Sequence, residues 1–430
     1  MSRQNVKLQA DLIISNASEL ITCTGDNTDD IGKMTGGWVA LSGKKIVAVG
    51  TRDEVAAKVD LENTTVIDAS GKVVVPGFVD CHTHTVFGGS RVAEYAAKIT
   101  TKDPEKLKTM GIETGVQVSV RKTQEATREE LVASASDRLL RMLESGTTTV
   151  EIKTGYGFTV KDEVKMLKVN ADLNKTLPID VVSTFLGAHG WPEDMSKETY
   201  IDLLLNEMIP RAAGLGNVSF NDVWCEDSHF TAKESERILQ AGLDAGLKAK
   251  IHTDAYSYIG GSDLAAEMKV VSADHLNYTP PEVLDKLAAS GVTGVIMPAL
   301  DFAVSHQKPF NARAIIDSGM SVALATDLCP GCWTESMQFV MALACRLYQM
   351  SPAEAIRAAT LGGAKALDLD GNRGSIEVGK LADLQIWNVP RYEHAIYRLG
   401  GNIVEQVIKN GEIIVDRSKP KKRSAVQTLS

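Results

Sequence analysis

The sequence lacks any apolar run approaching the ~18 residues of a membrane-spanning helix, which argues against a membrane partner. Its N-terminal stretch MSRQNVKLQADL has neither an apolar core nor a small-residue cleavage site, so no secretory signal is expected. Cysteine is scarce, six in 430 residues, and only Cys329 and Cys332 stand close together, as a C-x-x-C. Such usage suits a reduced, cytoplasmic protein rather than a disulfide scaffold. Positive charge is in deficit: 46 Lys and Arg against 55 Asp and Glu leave a net charge of −9, which argues against nucleic acid as a partner. No internal repeat or low-complexity tract stands out. Hydrophobic residues at 44% and charged residues at 23% match a globular chain and exclude wholesale disorder. At ~150 residues per domain the length allows two or three units, or one α/β barrel with additions.

The first seventy or so residues read as short strands and turns (ADLIISNASELIT, GWVALSGKKIVAVG, TTVIDASGKVVV), with Gly43 and Gly71 where tight hairpins need them. The end of the chain repeats this texture in GSIEVGKLADLQIWNV and NIVEQVIKNGEIIV. Between them, eight apolar, β-branched segments alternate with amphipathic helical stretches: VVPGFVDCHTH, TTTVEIKTGYG, IDVVSTFLGAH, FNDVWCEDSH, LKAKIHTD, VVSADHL, VTGVIMPA and SVALATD. Near-continuous apolar strands separated by helices predict a parallel sheet covered on both faces, and eight of them a (β/α)8 TIM barrel. Neither terminal β segment makes a core alone, so the two are expected to pair into a small β-sandwich. The expected division is 1–72 and 369–430 for the sandwich and 73–368 for the barrel. The basic tail Arg417, Lys419, Lys421, Lys422 and Arg423 reads as a frayed terminus.

Polar residues that do not belong in buried strands fall at the strand ends, where barrels keep their active sites. Asp80, His82 and His84 close the first segment, His189 the third, His252 and Asp254 the fifth, His275 the sixth and Asp327 the eighth. Residues i and i+2 of a strand face one side, so His82 and His84 both project into the barrel mouth. Two imidazoles, a third histidine and a carboxylate make a site for one divalent metal ion, zinc or iron, with room for water.

These residues carry a resemblance. VVPGFVDCHTH, the strand-five and strand-six histidines and the strand-eight aspartate resemble the amidohydrolase superfamily, and GSIEVGKLADLQIW resembles its C-terminal sandwich. The closer likeness is to the imidazolonepropionases, ring hydrolases of histidine degradation, through HTHTVFGGSR, TTVEIKTGYG, TFLGAHGWPED, VWCED and ALATDLCPG. The resemblance implies metal-dependent hydrolysis of a cyclic amide C–N bond in an imidazolone ring carrying a propionate, giving N-formimidoyl-L-glutamate. It implies that His82, His84, His252 and Asp327 hold the ion, and that His275 orients a water or assists proton transfer. His189 would polarise the ring carbonyl, Arg91 would grip the propionate carboxylate, and Tyr156 would contact the substrate. The absence of a strand-four lysine points to a mononuclear centre.

The sequence departs from the family at several places. Ala255 stands where an acid or amide is usual, Cys329 where an amide is, and His229 where a small residue is. The loop TTKDPEKLKTMGIETGVQ keeps neither the usual glycine triplet nor its tyrosine. These changes leave carboxylate recognition in place and suggest altered ring recognition, with Ala255 and Cys329 as wall residues. A thio- or S-methyl-substituted, hydantoin-type ring propionate is therefore an alternative substrate. A mononuclear aromatic-ring deaminase is a second alternative, and a barrel without catalysis, serving as an assembly module, a third. A homodimer is the default assembly.

Overall fold

The computed structural model describes residues 7–25, 29–62 and 64–418. Lys419, Lys421, Lys422 and Arg423 of the basic tail lie outside these residues, whereas Arg417 Nη2 sits 2.8 Å from Glu144 Oε2.

All eight segments read from the sequence are strands of one parallel sheet, in chain order. They are β1 (Phe78–Asp80), β2 (Thr147–Lys153), β3 (Asp180–Ala188), β4 (Val218–Cys225), β5 (Lys248–Thr253), β6 (Ser272–His275), β7 (Thr293–Ile296) and β8 (Ser321–Leu324). The ends of β1 and β8 meet: Asp327 N donates to His82 O at 3.1 Å, and His84 N to Leu328 O at 2.9 Å. The sheet is thereby brought round into a (β/α)8 barrel. Between strands, sequence signals set the helices. Arg128–Glu144 opens on a Thr127–Glu130 capping box and buries Leu131, Ala135, Leu139 and Met142. Ala232–Asp244 opens in the same way on Thr231 and Glu234. Each box satisfies amide donors that a helix start leaves free, and the three- and four-residue spacing turns one apolar stripe onto the sheet.

Among the described residues the chain ends form two larger further sheets, besides a two-stranded pairing of Leu8–Gln9 with Val59–Asp60. One orders Lys45–Gly50, Gly37–Ser42, Leu12–Ala17 and Thr65–Asp68; the other orders Glu412–Asp416, Val404–Lys409, Leu384–Trp387, Val73–Pro76, Glu19–Ile21 and Lys33–Met34. Leu384–Trp387 pairs antiparallel with Val73–Pro76, so strands more than 300 residues apart form one ladder. Leu12, Ile14, Leu20, Val39, Leu41, Val74, Leu384, Ile386 and Ile408 bury against one another as its core. Lys409 Nζ and Arg373 Nη1 both reach Asp180 Oδ2 at 2.7 Å and tie this unit to the foot of β3.

The inner face of the barrel departs from the apolar reading. Glu151 and Lys153 of β2, Asp222 of β4, Lys250 and His252 of β5, and Ser272 and Asp274 of β6 are all buried. On each strand that supplies two of them, the pair lies two positions apart and so shares one face. A buried charge is tolerated only with partners. Lys153 Nζ lies 3.0 Å from Glu151 Oε1 and 2.8 Å from Asp222 Oδ2, and Lys250 Nζ lies 3.0 Å from Glu151 Oε2.

Candidate metal centre and active site

Five imidazoles converge at the C-terminal end of the strands. The His82 ring lies 4.4 Å from His252, 5.5 Å from His84 and 5.5 Å from His275, centroid to centroid. His189 stacks on His84 at 4.9 Å. Asp327 Oδ1 stands 3.7 Å from His82 Nε2 and 3.8 Å from His84 Nε2. Local backbone makes this possible. His275 has φ 90 and Asp327 φ 48, a region that L-residues rarely occupy. On the regular β6 alternation His275 would face away from Asp274; the left-handed turn brings its ring within 5.2 Å of His252.

Burial holds His82, His84 and His252 well below the ordinary histidine range, and it takes His189 and His275 down to about 4. At neutral pH these rings are uncharged and offer lone pairs. Burial pushes the Asp327 carboxyl well above the ordinary range, a penalty that a facing cation offsets. His82 Nε2, His252 Nε2 and Asp327 Oδ1 are buried without a hydrogen-bond partner. Buried polar atoms are rarely left so, and three aimed into one space fit a metal ion. Ligand atoms of His82, His84 and Asp327, and of His82, His252 and His275, lie within 4.8 Å of one another.

A second layer orients the rings. His82 Nδ1 donates to Asp274 Oδ2 at 2.7 Å, and His252 Nδ1 lies 3.0 Å from Asp222 Oδ2. The carboxylate behind His82 Nδ1 fixes that ring's tautomer and turns its Nε2 lone pair inward, whereas His252 Nδ1 lies close to Asp222 without a hydrogen bond. Lys153 joins both carboxylates, 2.8 Å from Asp222 and 3.4 Å from Asp274. Burial opposes its charge, yet Asp222, Glu151 and Asp274 together hold the ammonium above its ordinary range.

On the substrate side, the Tyr156 ring lies 5.7 Å from His84 and 5.5 Å from His189. Arg91 borders a cavity of about 380 Å³ with Tyr95, Phe302, Pro330, Cys332 and Trp333. Its Nε and Nη2 are engaged by Glu94, both at 2.6 Å. The paired edge is therefore occupied, and Nη1 remains for a further acceptor. Of the C-x-x-C pair it is Cys332, not Cys329, that lines this cavity. The two residues form a tight backbone bridge, with Cys329 N donating to Cys332 O at 2.9 Å. Burial raises both thiols, which opposes the thiolate that redox chemistry needs. Ala255 is buried, and its carbonyl accepts from His306 Nε2 at 2.8 Å. The His229 ring lies tilted against Trp224 at 3.6 Å, and Trp224 lies 5.2 Å from His189.

One role given by the resemblance changes with the geometry. His189 Nδ1 faces Gly155 O at 3.1 Å. A carbonyl only accepts, so the proton sits on Nδ1 and Nε2 carries the lone pair. A neutral His189 thus accepts a hydrogen bond at the site instead of donating one to a carbonyl.

A profile of the amidohydrolase family matches residues 65–110 and 93–415 of the chain. The imidazolonepropionase of Alkaliphilus metalliredigens (strain QYMF) is 40% identical over 423 residues, covering 96% of this chain and 100% of that protein. That of Halobacterium salinarum (strain ATCC 29341 / DSM 671 / R1) is 40% identical over 412 residues, covering 94% and 98%. The chain belongs to the amidohydrolase family, among its imidazolonepropionases. Among solved structures, a zinc-bound adenosine deaminase from Xanthomonas campestris superposes with a TM-score of 0.74 at 18% identity, covering 96% of this chain and 94% of that one. A zinc-bound atrazine chlorohydrolase from Arthrobacter aurescens TC1 follows at 0.66 and 17%, covering 96% of both. These two likenesses speak for the fold.

Sequence reasoning passed over the residues behind the site. Lys153 sits as an ammonium among three carboxylates. Lys250, Asp222, Asp274 and Glu151 were not singled out. Their signal was present: polar residues two apart inside segments otherwise read as buried strands. Glu226 was also missed; it is buried after β4 and accepts from Tyr256 N at 2.9 Å, holding the loop that carries Ala255.

Proposed function

We propose that the protein hydrolyses 4-imidazolone-5-propionate, or a ring propionate of that class, at a cyclic amide C–N bond. The convergence of neutral, inward-facing imidazoles on Asp327, in a chain about two-fifths identical to imidazolonepropionases, carries this reading. His82, His84, His252 and Asp327 would hold one divalent ion, zinc or iron. When bound, such an ion polarises a carbonyl oxygen and lowers the pKa of a water toward ~7. A single ion fits best, because the Lys153 ammonium already fills the space among Asp222, Asp274 and Glu151.

In the proposed reaction a water oxygen joins the ring carbonyl carbon and the adjacent C–N bond breaks. Asp327 takes the water's proton and returns it to the departing nitrogen. His275 orients the water. His189 Nε2 accepts from a ring N–H and sets the ring's rotation. Arg91 Nη1 pairs with the propionate carboxylate, and Tyr156 lies against the ring. The division into a terminal unit (1–72 and 369–430) and a barrel (73–368) belongs to the same reading, with the first boundary moved past Val73–Pro76, which pairs with Leu384–Trp387 in the terminal sheet. All six cysteines are free thiols, which supports a cytoplasmic location, and we take the assembly to be a homodimer.

Ring opening followed by ultraviolet absorbance tests the reading, with the plain imidazolone beside its 2-thio and S-methyl analogues. Turnover of the plain ring supports it. Turnover of only a sulfur analogue moves the substrate to the modified ring, and Ala255→Glu with Cys329→Asn should then shift the preference. Release of ammonia without ring opening would replace the reading by a deaminase.

A further inference from the structure

Glu163 is a buried carboxylate that the chemistry above does not use. It sits in the first turn of helix Val160–Thr176 and reaches back over the loop that leaves β2. Its Oε2 accepts from Gly155 N at 3.2 Å, and its Oε1 accepts from Gly157 N at 2.7 Å and from Phe158 N at 3.1 Å. Three amide donors aimed at one carboxylate form an anion cradle, and the helix start adds its positive end. The loop is pressed close on both sides. A Cβ on Gly155, whose φ is +110, would lie 2.8 Å from His189 Cβ; one on Gly157 would lie 2.5 Å from Glu163 N. Only glycine allows both approaches.

We propose that Glu163 is a positioning residue for the substrate side of the site. Tyr156 stands between the amides that Glu163 holds. Gly155 gives its N–H to Glu163 and its C=O to His189 Nδ1, so one residue links the carboxylate to the tautomer of His189. Glu163 thus sets the place of Tyr156 and the face His189 shows to a ring. The inference rests on the substrate reading above and deepens it, and its test separates the two.

The first arm is amide hydrogen exchange across residues 154–159 in the full-length wild type and in Glu163→Gln. An amide side chain turns N–H toward donors and gives up part of the cradle. Exchange in this loop should quicken about tenfold or more, the worth of one hydrogen bond to a charged group, while β3 and β4 stay protected. The second arm is a kinetic cycle with Tyr156→Phe. Glu163→Gln alone should lower kcat/KM about tenfold or more, chiefly through KM, and should add little once Tyr156 is already Phe. Glu163→Asp keeps the charge and should recover part of the loss; it carries the same cycle if the Gln variant does not fold. Unchanged loop exchange, or fully additive kinetic effects, overturns the proposal. If the wild type opens no ring, the function reading falls, and the exchange arm together with the ¹⁵N-detected tautomer of His189 in Glu163→Gln decides this one. A tautomer unmoved by the substitution counts against it.

Discussion

Replacing Asp274 by Asn removes one buried negative charge and keeps the side-chain volume. Asp274 Oδ2 accepts from His82 Nδ1 at 2.7 Å, and Oδ1 accepts from Ser272 Oγ at 2.6 Å. Lys153 Nζ lies 3.4 Å from the same Oδ2. An amide keeps one acceptor: with its NH2 toward His82 that bond is lost, and with its NH2 toward Ser272 Oγ, which can accept, His82 Nδ1 is left on a neutral acceptor in place of a carboxylate. If His82 loses its partner, nothing holds the proton on Nδ1 or turns the Nε2 lone pair toward Asp327. Removing such an outer partner typically weakens metal binding by ~10–100-fold, about 1.4–2.8 kcal/mol. The assay is zinc competition against a chromophoric chelator at neutral pH, with thermal unfolding of both metal-free proteins alongside. The expected result is a folded variant with a zinc Kd raised by that factor. A folded variant with the wild-type Kd would refute the argument that Asp274 serves the metal through His82.

Lys153→Met leaves Glu151, Asp222 and Asp274 without their shared counter-charge. Breaking a buried pair in this way costs about 3–5 kcal/mol, so urea unfolding of the metal-free variant should shift strongly downward; an unshifted midpoint counts against the network. Arg91→Met should raise KM for a ring propionate ~10–100-fold, the worth of a charged hydrogen bond of about 1.5–3 kcal/mol, with a smaller effect on kcat. Steady-state kinetics would sink that assignment by returning a wild-type KM. Burial lowers His189 from 6.5 to about 4, so the unfolded chain takes up its proton at a pH where the folded protein does not. Its contribution to stability is therefore complete above 6.5 and drains away as pH falls toward 4. Urea midpoints of the metal-free protein should decline across that window, and less steeply in His189→Gln; equal slopes would remove His189 as a source.

How much of this was legible in the sequence differs between fold and site. All eight barrel strands were, because short β-branched runs between amphipathic helices leave one economical packing. The cluster of His82, His84, His252, His275 and Asp327 was legible because polar residues at strand ends stand out against apolar runs. The inner face of the barrel was not. Glu151, Lys153, Lys250 and Asp222 alternate inside segments whose outward residues are apolar, and a reading tuned to apolar runs averages them away. Arg91 was legible as a cation near the site and Glu94, one helical turn on, as an ion-pair partner for it; that Glu94 takes both Nε and Nη2 depends on the rotamers.

Chain order and the two-residue period of a strand are local properties, and they set which residue types reach the barrel mouth. What each of them can do there depends on groups distant in the chain. His82 takes its tautomer from Asp274, 192 residues away, and Asp80 is held by Thr326 across 246 residues. His189 takes its tautomer from Gly155, and His275 reaches the site through a left-handed turn. A histidine's donor and acceptor faces depend on what stands behind its ring. In this chain the groups behind those rings arrive from other strands and loops, as the barrel closes.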